Sequence, residues 1–561
     1  MSNKALNSKD SYKIDHISQY PKGITEVYSN LTARSPAHQN VPVNGVIFVG
    51  MSIFIQDYLV REWNQTFFYR NKDEVILSYA RRVKGILGVD IDYKHIAALH
   101  DLGYLPIEIK ALPEGSYVPY RVPMMTIRNT HPDFAWVTNM LECVISNELW
   151  SMTTSATTYF AFKKLFGRYA EETGSPKSFI PYQGHDFSYR GMFGREAAAK
   201  SGLAVLLAGC IGTDNMSAID LAEEFYFAGE SRNPVGQSLP ATEHSVICAN
   251  GKETELDTLR GLLTETYPSG NLSYVSDTWD FWKVVTEFLP QLKDVINDRE
   301  GKLVIRPDSG NPVEIICGTR NPTLNSVIDE WEFVNGCRDG EYFEYEGNVY
   351  VVNGMNDYEE GYGSSGRWQM NINSYKNLIE SGFTRVCNEE KCKQVGLIET
   401  LWDIFGGTIN QAGYKVLSPK VGAIYGDGIN YAVANKILFN LKAKGFASCN
   451  IVFGLGSYLF QHVTRDTHGF AIKSTAIKID GKLETIFKDP KTDDGTKKSA
   501  KGYLMVSSSN GRYTLVEGVT PIQERHGCLE TVFKDGKILA LPTIDEVRAT
   551  VTDALKRNLE F

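Results

Sequence analysis

The hydrophobic pattern changes twice along the chain, and each stretch predicts a different arrangement. Residues 1–150 mix short aromatic and β-branched runs, such as 46–49, with amphipathic stretches such as 74–87, so we expect strands and helices together. From about residue 150, apolar runs repeatedly end in Gly, Asp, Ser or Arg before a segment with helical periodicity. After about residue 460, paired strand-like runs flank turn dipeptides, which is typical of an antiparallel sheet.

The middle stretch repeats at a nearly constant interval. Five of the six intervals between successive run ends fall between 24 and 33 residues, which is the length that one strand and one helix require. The run ends are marked by Arg190, Asp214, His244, Asp277, Arg306, Gly426 and Gly456. We therefore predict an irregular α/β barrel over residues 151–460, with its polar residues gathered at one rim. Gly and Asp turns also occur in other α/β folds, which is the alternative to the barrel at this point.

The sixth interval spans 120 residues and holds more than a strand and a helix. It contains the alternating stretch 339–354, which predicts a β-hairpin, and we assign about 313–395 to an insertion. The two ends of the chain, 1–150 and 461–561, are predicted to form one mixed, largely antiparallel β domain. Its expected turns and terminal helix are Asp480-Gly481, Asn510-Gly511, Asp535-Gly536 and residues 544–555.

Composition narrows the functional classes. Hydrophobic residues make up 42% and charged residues 22% of the chain, as in an ordinary globular protein. The formal charge of −9 argues against nucleic acid or an anionic membrane as a partner, although it leaves local phosphate sites open. The nine cysteines include no CxxC pair, and the first residues lack the apolar stretch of a signal peptide. We expect a cytoplasmic protein without a membrane helix.

One string at a predicted strand end combines several groups that suit a sugar phosphate. In Ile305-Arg306-Pro307-Asp308-Ser309-Gly310, the guanidinium can fork onto a phosphate while the carboxylate serves sugar hydroxyls or a metal-bound water. The GDG and GLGS strings at 426–428 and 454–457 are loops that a phosphate could approach closely. Each string is weak alone because GDG is also a common turn, but on successive strands they predict a phosphosugar site.

Ten strings in fixed order carry a resemblance to a known family. They are DSYKIDHISQYPKG (10–23), HDFSYRG (185–191), GTD (212–214), SLPATEHS (238–245), VSD (275–277), IRPDSGNP (305–312), GDG (426–428), LFQHVTRD (459–466), FKDP (487–490) and ETVFKDGKI (530–538). In this order they resemble the nicotinamide phosphoribosyltransferases, which have the type II phosphoribosyltransferase fold. The resemblance spans nearly the whole chain outside the insertion, and it supports the barrel and the second domain built from both chain ends.

The resemblance implies transfer of phosphoribose from phosphoribosyl pyrophosphate to nicotinamide, giving the mononucleotide and pyrophosphate. It also implies Mg²⁺ bound through pyrophosphate oxygens, and ATP as a co-substrate that phosphorylates His244. Phe187 and Tyr12, the latter from the other subunit of a homodimer, would sandwich the pyridine ring. Asp214 would accept the carboxamide N–H, and a carboxylate in place of that carboxamide would be repelled.

The same resemblance assigns roles to the remaining site residues. The catalytic set is His244, Asp277, Arg306 and Asp308. Further substrate-binding residues are Arg190, Ser273, Gly426, Asp427, Gly456 and Ser457. Cations expected to reach phosphate from the partner subunit are Arg34, Arg465, Lys473, Lys488 and Lys497. No metal ligand within the protein is expected.

The chain departs from the family pattern at Ser457, where a triple-glycine turn has serine. The backbone N–H of Ser457 can still donate, but a positive φ there would be costly. Three alternatives remain at this point: nicotinate phosphoribosyltransferase, decided by Asp214; a phosphosugar aldolase or isomerase; and a non-catalytic binding protein. The second would need a Schiff-base lysine or paired acid–base groups, and the strand-end strings above contain no lysine.

Overall fold

The computed structural model describes residues 4–319, 342–345, 348–352, 383–385, 388–489 and 498–559. Its strands are β1 (Ile24–Thr32), β2 (Gly45–Ile47), β3 (Ile107–Ala111), β4 (Tyr117–Pro119), β5 (Pro123–Asn129), β6 (Gly184–Asp186), β7 (Leu272–Val275), β8 (Leu303–Arg306), β9 (Tyr342–Tyr345), β10 (Asn348–Val352), β11 (Phe383–Arg385), β12 (Gly407–Ile409), β13 (Lys415–Leu417), β14 (Val421–Tyr425), β15 (Ile451–Leu455), β16 (Ala471–Ile479), β17 (Lys482–Thr485), β18 (Tyr503–Ser509), β19 (Arg512–Val519), β20 (Glu530–Lys534) and β21 (Lys537–Ile538).

The α-helices of six or more residues, within those described ranges, are α1 (Lys72–Leu87), α2 (Lys94–Leu102), α3 (Ala135–Met140), α4 (Glu142–Thr173), α5 (Arg195–Leu207), α6 (Met216–Phe225), α7 (His244–Asn250), α8 (Glu255–Gly261), α9 (Lys293–Asp298), α10 (Pro312–Cys317), α11 (Asn388–Val395), α12 (Leu397–Phe405), α13 (Tyr431–Ala443) and α14 (Ile544–Leu559), and a nine-residue π-helix spans Phe54–Glu62.

The chain divides into two compact units. Unit 1 comprises Met1–Lys164, Asp186–Gln237 and Ser457–Phe561, and unit 2 comprises Leu165–His185 and Ser238–Gly456. The division therefore groups 186–237 with the chain ends, whereas the sequence pattern placed it in the barrel. Long-range hydrogen bonds account for this difference, because that segment is tied to both ends of the chain inside unit 1.

Two of these hydrogen bonds join the 186–237 segment to residues in the N-terminal third of the chain. Tyr226 O–H donates to Glu114 Oε2 at 2.8 Å, and Gln56 Nε2 donates to the carbonyl of Phe225 at 2.9 Å. Glu114 is fully buried, where it also accepts hydrogen bonds from Ser52. Buried polar groups need such partners, so these bonds fix where the 186–237 segment packs.

Unit 1 is built on a seven-stranded antiparallel sheet in the order β17-β16-β1-β5-β3-β20-β21. β1 pairs with β16, so the two chain ends share one sheet, with Leu31 opposite Ile472. This confirms the predicted β domain made from both ends of the chain. Its buried core includes Trp63, Phe54 and Ile109.

The turn dipeptides predicted in unit 1 are confirmed. Asp480 and Gly481 have φ values of 47° and 77°, and the Asn510-Gly511 and Asp535-Gly536 pairs likewise have positive φ at both residues. Two-residue hairpin turns need this left-handed conformation, which Asn, Asp and Gly adopt most easily. The terminal helix is also confirmed, as α14.

Unit 2 contains the parallel strands that the repeat predicts. The sheet order is β6-β15-β14-β8-β7, and the pairs β7–β8, β8–β14 and β14–β15 are all parallel. The last residue of β6, Asp186, begins the 186–237 segment of unit 1. Because parallel strands end at the same edge, the polar residues that follow them in sequence are brought to one edge.

Two of the predicted runs form single bridges instead of strands. In unit 1, Thr213 bridges Asp186 and Gly212 bridges Gln237, and in unit 2 Ala241 bridges Ser273. A proline precedes Ala241 and has no N–H to donate, which limits a longer ladder there.

The insertion is only partly described. β9 and β10 pair antiparallel, with Tyr345 opposite Asn348, which confirms the predicted hairpin. The remainder of 313–395 between 320 and 387, and also Lys497, lie outside the described residues. Among the helices that are described, none has the length and apolar character needed to cross a membrane.

Candidate functional site

Asp277 is the centre of the polar cluster at the strand ends of unit 2, which we call the strand-end cluster (His244, Asp277, Arg306 and Asp308). Its side chain is only 5% exposed. Oδ2 accepts the backbone N–H of Asp308 at 3.0 Å and the hydroxyl of Ser309 at 2.6 Å. A buried carboxylate is stabilised by such hydrogen bonds, so Asp277 fixes the loop that follows β8.

His244 begins α7 and is the exposed member of the cluster. Its imidazole is 47% exposed, and Nε2 lies 3.8 Å from Asp277 Oδ1. That distance exceeds a hydrogen bond, but it allows an ion pair when the imidazole is protonated. Nδ1 shares a hydrogen bond of 3.1 Å with the hydroxyl of Thr278, which helps to orient the ring. The ring is thus both accessible and held beside a carboxylate.

Arg306 ends β8 and is held in place while one of its donors remains available. Nη2 donates to the carbonyl of Thr242 at 2.7 Å, and Nη1 lies 3.6 Å from Asp308 Oδ2. The side chain is 15% exposed, and within the described chain its buried Nε has no hydrogen-bond partner. A buried donor without a partner is costly, while the guanidinium as a whole keeps the 15% exposure through which an anionic ligand could reach it.

Tyr425 supports the same loop from β14, although the sequence strings did not single it out. Its hydroxyl donates to the carbonyl oxygens of Ser309 and Gly310, both at 2.9 Å. Burial, with the carboxylates of Asp427 and Asp277, raises the pKa of Tyr425, so the hydroxyl keeps its proton and stays a donor. The loop after β8 is therefore held from two strands.

The other unit 2 residues predicted for the site lie on or directly after strands of the same parallel sheet. Gly426 and the exposed Asp427 follow β14, and Gly456 follows β15. A Cβ on Gly456 would meet no atom within 4 Å, so a ligand can approach this backbone. Ser273 lies in β7 instead, is buried, and donates its N–H to the carbonyl of Pro240 at 2.9 Å.

In unit 1, the chain brings Phe187 and Asp214 to neighbouring positions. Asp214 N–H donates to the carbonyl of Asp186 at 3.1 Å, which is the residue before Phe187. Asp186 in turn accepts the N–H of Ser188 through its side chain at 2.9 Å. Phe187 is partly exposed and Asp214 is exposed, and the backbone hydrogen bond brings the two residues close together in the fold.

Arg190 and Ser457 are both placed in unit 1 as well. Arg190 is exposed in the turn Tyr189–Gly191, and a Cβ on Gly191 would collide with Ser457 Oγ. Ser457 has φ −60° and ψ −25°, which is an ordinary right-handed conformation. The strain expected if Ser457 had a positive φ is therefore absent at this residue.

Tyr12 is 60% exposed in the short turn Ser11–Lys13. Its ring centroid lies 5.5 Å from that of His16, and Lys13 Nζ lies 5.4 Å from the ring. Lys13 also pairs with Glu142 of α4. An exposed, supported aromatic ring suits stacking on a flat ligand, and its contribution to a neighbouring subunit stays a prediction.

Four predicted phosphate-binding cations form a second group in unit 1, which we call the cation cluster (Arg34, Arg465, Lys473 and Lys488). Lys473 lies on β16 opposite Asn30 of β1. Burial lowers the pKa of Lys473, Glu142 raises it, and the charges of Arg34, Lys488 and Arg465 lower it. Three cations close enough to act on Lys473 make this region a favourable site for a polyanion.

A buried histidine, which the sequence did not indicate, holds the turn under the cation cluster. His468 Nδ1 shares a hydrogen bond of 2.9 Å with the hydroxyl of Tyr120. Its carbonyl accepts the N–H of Arg34 at 3.0 Å, and Gly469 accepts Arg34 Nε at 2.9 Å. Since Tyr120 and His468 are 348 residues apart, no local string could have revealed this contact.

In the parts of the chain that the structure describes, no three His, Cys, Asp or Glu side chains come together in a way that could hold a metal ion. Acidic oxygens are nevertheless present in the strand-end cluster, at Asp277 and Asp308. Mg²⁺ is usually held by one or two carboxylates together with substrate phosphates. The donor set therefore fits an ion that arrives with a polyphosphate.

Comparison with known proteins gives consistent matches over most of the chain. The family model described as the nicotinate phosphoribosyltransferase (NAPRTase) family matches residues 182–357 and 365–536. A second model, the N-terminal domain of nicotinamide phosphoribosyltransferase, matches residues 4–109. Together these matches cover both units and include the strand-end strings.

Individual relatives support the same family assignment. The nicotinamide phosphoribosyltransferase of Acinetobacter baylyi is 42% identical, over 98% of this chain and 97% of that protein. The protein of the same name from Mycoplasma pneumoniae is 31% identical, over 89% of this chain and 95% of that protein.

Among solved structures, nicotinate-nucleotide pyrophosphorylase from Pyrococcus furiosus aligns with a TM-score of 0.52 and 13% identity, covering 100% of this chain and 98% of that chain. At this identity the likeness concerns the fold alone, and it confirms the predicted fold class of an α/β barrel with a second domain. The family match extends over more than half of the chain, and the relatives match nearly all of it. The chain therefore belongs to the nicotinate phosphoribosyltransferase family.

Proposed function

We propose that this chain is a nicotinamide phosphoribosyltransferase, which transfers phosphoribose from phosphoribosyl pyrophosphate to nicotinamide and releases pyrophosphate. The observation that carries the proposal is the identity of 42%, over nearly the full length of both chains, with a protein of that name. The residues add chemical support, because the units contain an aromatic residue and an acidic residue on adjoining backbone segments, a cation cluster and an ordered strand-end cluster.

The base is assigned to Phe187 and Asp214 of unit 1. Phe187 offers a flat face for the pyridine ring, and the Asp214 carboxylate accepts the N–H of the carboxamide. Nicotinate would place a second carboxylate against Asp214, and like-charge repulsion disfavours it. Tyr12 of a second copy is proposed to cover the other face of the ring, which makes the active form a homodimer.

The reaction needs positioning and charge stabilisation more than a strong acid or base. As the bond from ribose C1 to pyrophosphate breaks, positive charge develops on the ribose, and the pyridine nitrogen forms the new bond to C1. Arg306 and Arg190 are assigned to phosphate oxygens and Asp308 to the ribose hydroxyls, while the cation cluster is assigned to the phosphates of a neighbouring subunit's substrate. Such fixed charges lower the barrier because they need little rearrangement during the reaction.

Mg²⁺ is proposed to bind through pyrophosphate oxygens, with Asp277 and Asp308 as the nearby carboxylates that suit it. When bound, the ion neutralises part of the leaving group's charge. The protein's own contribution is to hold those two carboxylates at the end of β7 and β8, as the hydrogen bonds to Asp277 Oδ2 do.

ATP is proposed as a co-substrate whose γ-phosphoryl group moves to an imidazole nitrogen of His244 and leaves ADP. The exposure of His244 and the 3.8 Å approach of Asp277 Oδ1 to its Nε2 support this role. A carboxylate beside the ring can help to hold the imidazole in one orientation. The phosphohistidine would then improve the energetics of the transfer.

The first test incubates the purified protein with nicotinamide, phosphoribosyl pyrophosphate and Mg²⁺, with and without ATP, and measures the mononucleotide. We expect product in both mixtures and more of it with ATP. No product under any of these conditions would favour a non-catalytic binding protein and overturn the proposal.

The phosphohistidine is tested separately with His244→Ala. We expect this variant to lose the stimulation by ATP while it still binds nicotinamide, and His526→Ala, an exposed histidine of unit 1, to keep the stimulation. Unchanged stimulation in His244→Ala would refute the role of this residue without affecting the transferase assignment.

Base selectivity distinguishes the second candidate, nicotinate phosphoribosyltransferase, which the family description favours. We expect the wild type to use nicotinamide and hardly any nicotinate, and Asp214→Ala to lose that preference. Asp220→Ala, an exposed carboxylate on α6, is the matched control. Equal rates on both bases in the wild type would instead support the second candidate.

Assembly and cellular location complete the proposal. We expect a homodimer in the cytoplasm, with no nucleic acid or membrane partner. Sedimentation during turnover should show an active dimer, and mixing a Tyr12→Ala chain with an Arg306→Met chain should restore activity in mixed dimers. A fully active monomer would contradict the shared site.

A further inference from the structure

Arg548 of α14 directs its guanidinium at four backbone carbonyls of unit 1. Nε donates to Leu206 at 2.9 Å and Nη1 to Pro234 at 3.0 Å. Nη2 donates to Cys210 at 3.2 Å and to Val235 at 2.5 Å. The last carbonyls of a helix lack partners inside the helix and attract cations. Arg548 therefore joins the end of α5 to the segments at 210 and 234–235.

Asp545, one turn earlier on α14, holds the adjoining segment. Oδ2 accepts the hydroxyl of Ser231 at 2.9 Å, and Oδ1 accepts Asn233 Nδ2 at 3.1 Å. Residues three positions apart lie on the same face of a helix, so Asp545 and Arg548 act on 231–235 together. These contacts fix a stretch with little regular structure of its own.

The fixed segments lead directly into the ladder that presents Asp214. Gln237 follows the anchored stretch and donates its N–H to Ile211 at 2.7 Å, while Thr213 N–H donates to Gln237 at 2.9 Å. Ile211 follows the anchored Cys210. A displacement of either anchored segment would therefore move the backbone one residue before Asp214.

The position after Asp214 is fixed by a second set of hydrogen bonds. Asn215 Nδ2 donates to the carbonyl of Ala198 on α5 at 2.9 Å, and its Oδ1 accepts the N–H of Ala218 at 3.2 Å. Asp214 is thus held between α5 on one side and the ladder on the other. The guanidinium of Arg548 binds the carbonyl of Leu206 at the end of α5 and that of Cys210 before the ladder. Both supports of Asp214 therefore depend on Arg548.

We propose that Arg548 is a positioning residue for Asp214, so that the C-terminal helix α14 sets the discrimination between a neutral carboxamide and a carboxylate on the base. The inference rests on the proposed function. Arg548 has no assigned contact with a substrate, and its effect passes through the backbone of 210–213. A small misplacement of a binding group can cost orders of magnitude in rate.

The test compares Arg548→Lys and Arg548→Met with the wild type and with Lys556→Met. Lys556 lies on the same helix, is 73% exposed and pairs only with the exposed Asp553 among the described residues, so its variant controls for loss of a cation on α14. The measurements are kcat and KM for nicotinamide, for nicotinate and for phosphoribosyl pyrophosphate, together with Tm.

We expect the KM for nicotinamide to rise about tenfold in Arg548→Lys and more in Arg548→Met, since a lysine cannot reproduce the planar fork. The preference for nicotinamide over nicotinate should fall by a similar factor. The KM for phosphoribosyl pyrophosphate should stay within about twofold, because that substrate is not assigned to Asp214. If Arg548→Met does not fold, Asp545→Asn gives a milder version of the same change.

A purely structural role would give a different pattern, in which Tm and the active fraction fall while both KM values and the base preference stay at wild-type levels. That pattern would show that Arg548 does not position Asp214, and it would leave the proposed transferase function unaffected. A wild type that makes no mononucleotide would instead remove the proposed function, and the inference with it.

Discussion

The strand-end cluster of unit 2 and the cation cluster of unit 1 are built in opposite ways. In the strand-end cluster, Asp277 is 5% exposed and accepts two hydrogen bonds, and Arg306 is 15% exposed with a backbone partner. In the cation cluster, Arg465 is 57% exposed, and burial, together with the charges of Arg34, Lys488 and Arg465, lowers the pKa of Lys473. The first cluster is ordered before a ligand binds, whereas the second is most stable once an anion is present.

This difference separates two ways of recognising the same chemical group. Fixed, partly buried donors act at short range and depend on geometry. Exposed cations act over a longer range and are screened by salt, since the Debye length is about 8 Å at physiological ionic strength. Substitutions in the two clusters should therefore differ in size, in the kinetic constant that changes and in the response to salt.

The largest effect is expected for Arg306→Met, which removes the ordered guanidinium. We expect kcat/KM to fall on the order of a thousandfold, as for loss of a fixed donor in other active sites, with little dependence on salt concentration. Steady-state kinetics at low and high salt measures both. Lys293→Met, an exposed cation of α9 in the same unit, should change neither, and a loss below about tenfold in Arg306→Met would contradict the assignment.

A smaller effect, on stability and not on rate, is expected from His468 beneath the cation cluster. Burial lowers the pKa of His468 to about 4, so the folded protein keeps the ring neutral while the unfolded chain takes up a proton below about pH 6.5. The folded pKa is the lower one, so stability is complete above about pH 6.5 and is lost as the pH falls towards 4.

The measurement is urea unfolding of wild type and His468→Gln at about pH 7.5 and about pH 5. Between these two pH values, we expect the free energy of unfolding of the wild type to fall by about 2 kcal/mol more than that of the variant. His526→Gln, at an exposed histidine, should behave as the wild type. Equal acid sensitivity in all three proteins would refute this account.

The cation cluster should give an effect of about tenfold per residue, expressed in KM. We expect Arg465→Gln and Lys488→Gln each to raise the KM for phosphoribosyl pyrophosphate about tenfold at low salt, and less at high salt, because exposed charges are screened. The kcat should change little. Lys482→Gln, an exposed lysine on β17, is the control. A loss that is independent of salt would mean that the two clusters do not differ in the way described.

Much of the fold was predictable because its signals are local. The turn dipeptides predicted three hairpins, since only a few residue types adopt positive φ at two successive positions. The strand-end strings predicted which residues meet at one edge of the parallel sheet, because parallel strands share an orientation. For the same reason Asp277, Arg306 and Asp308 were found together in the strand-end cluster.

The features that could not be predicted depend on contacts between distant parts of the chain. The assignment of 186–237 to unit 1 follows from bonds such as that from Arg548 to Cys210, which are 338 residues apart. The Tyr120–His468 pair and the support from Tyr425 are similar cases. No periodicity or spacing reports which carbonyl a distant guanidinium or hydroxyl will find, so these residues become visible only in three dimensions.

The smallest effect is expected for Ser457→Gly, which restores the glycine of the family's turn. Since Ser457 already has φ −60°, glycine relieves no strain, and we expect kcat/KM to stay within about twofold. Stability should fall by about 0.5–1 kcal/mol, because glycine loses more backbone entropy on folding.

The neighbouring Gly191 sharpens this prediction, because a Cβ there would collide with Ser457 Oγ and Cβ. Gly191→Ala should therefore cost activity through displacement of Arg190, and Ser457→Gly should restore part of that loss in the double variant. A double-variant cycle in kcat/KM measures the coupling. Additive effects would show that Ser457 and Gly191 act independently, and then the serine would have no part in placing Arg190.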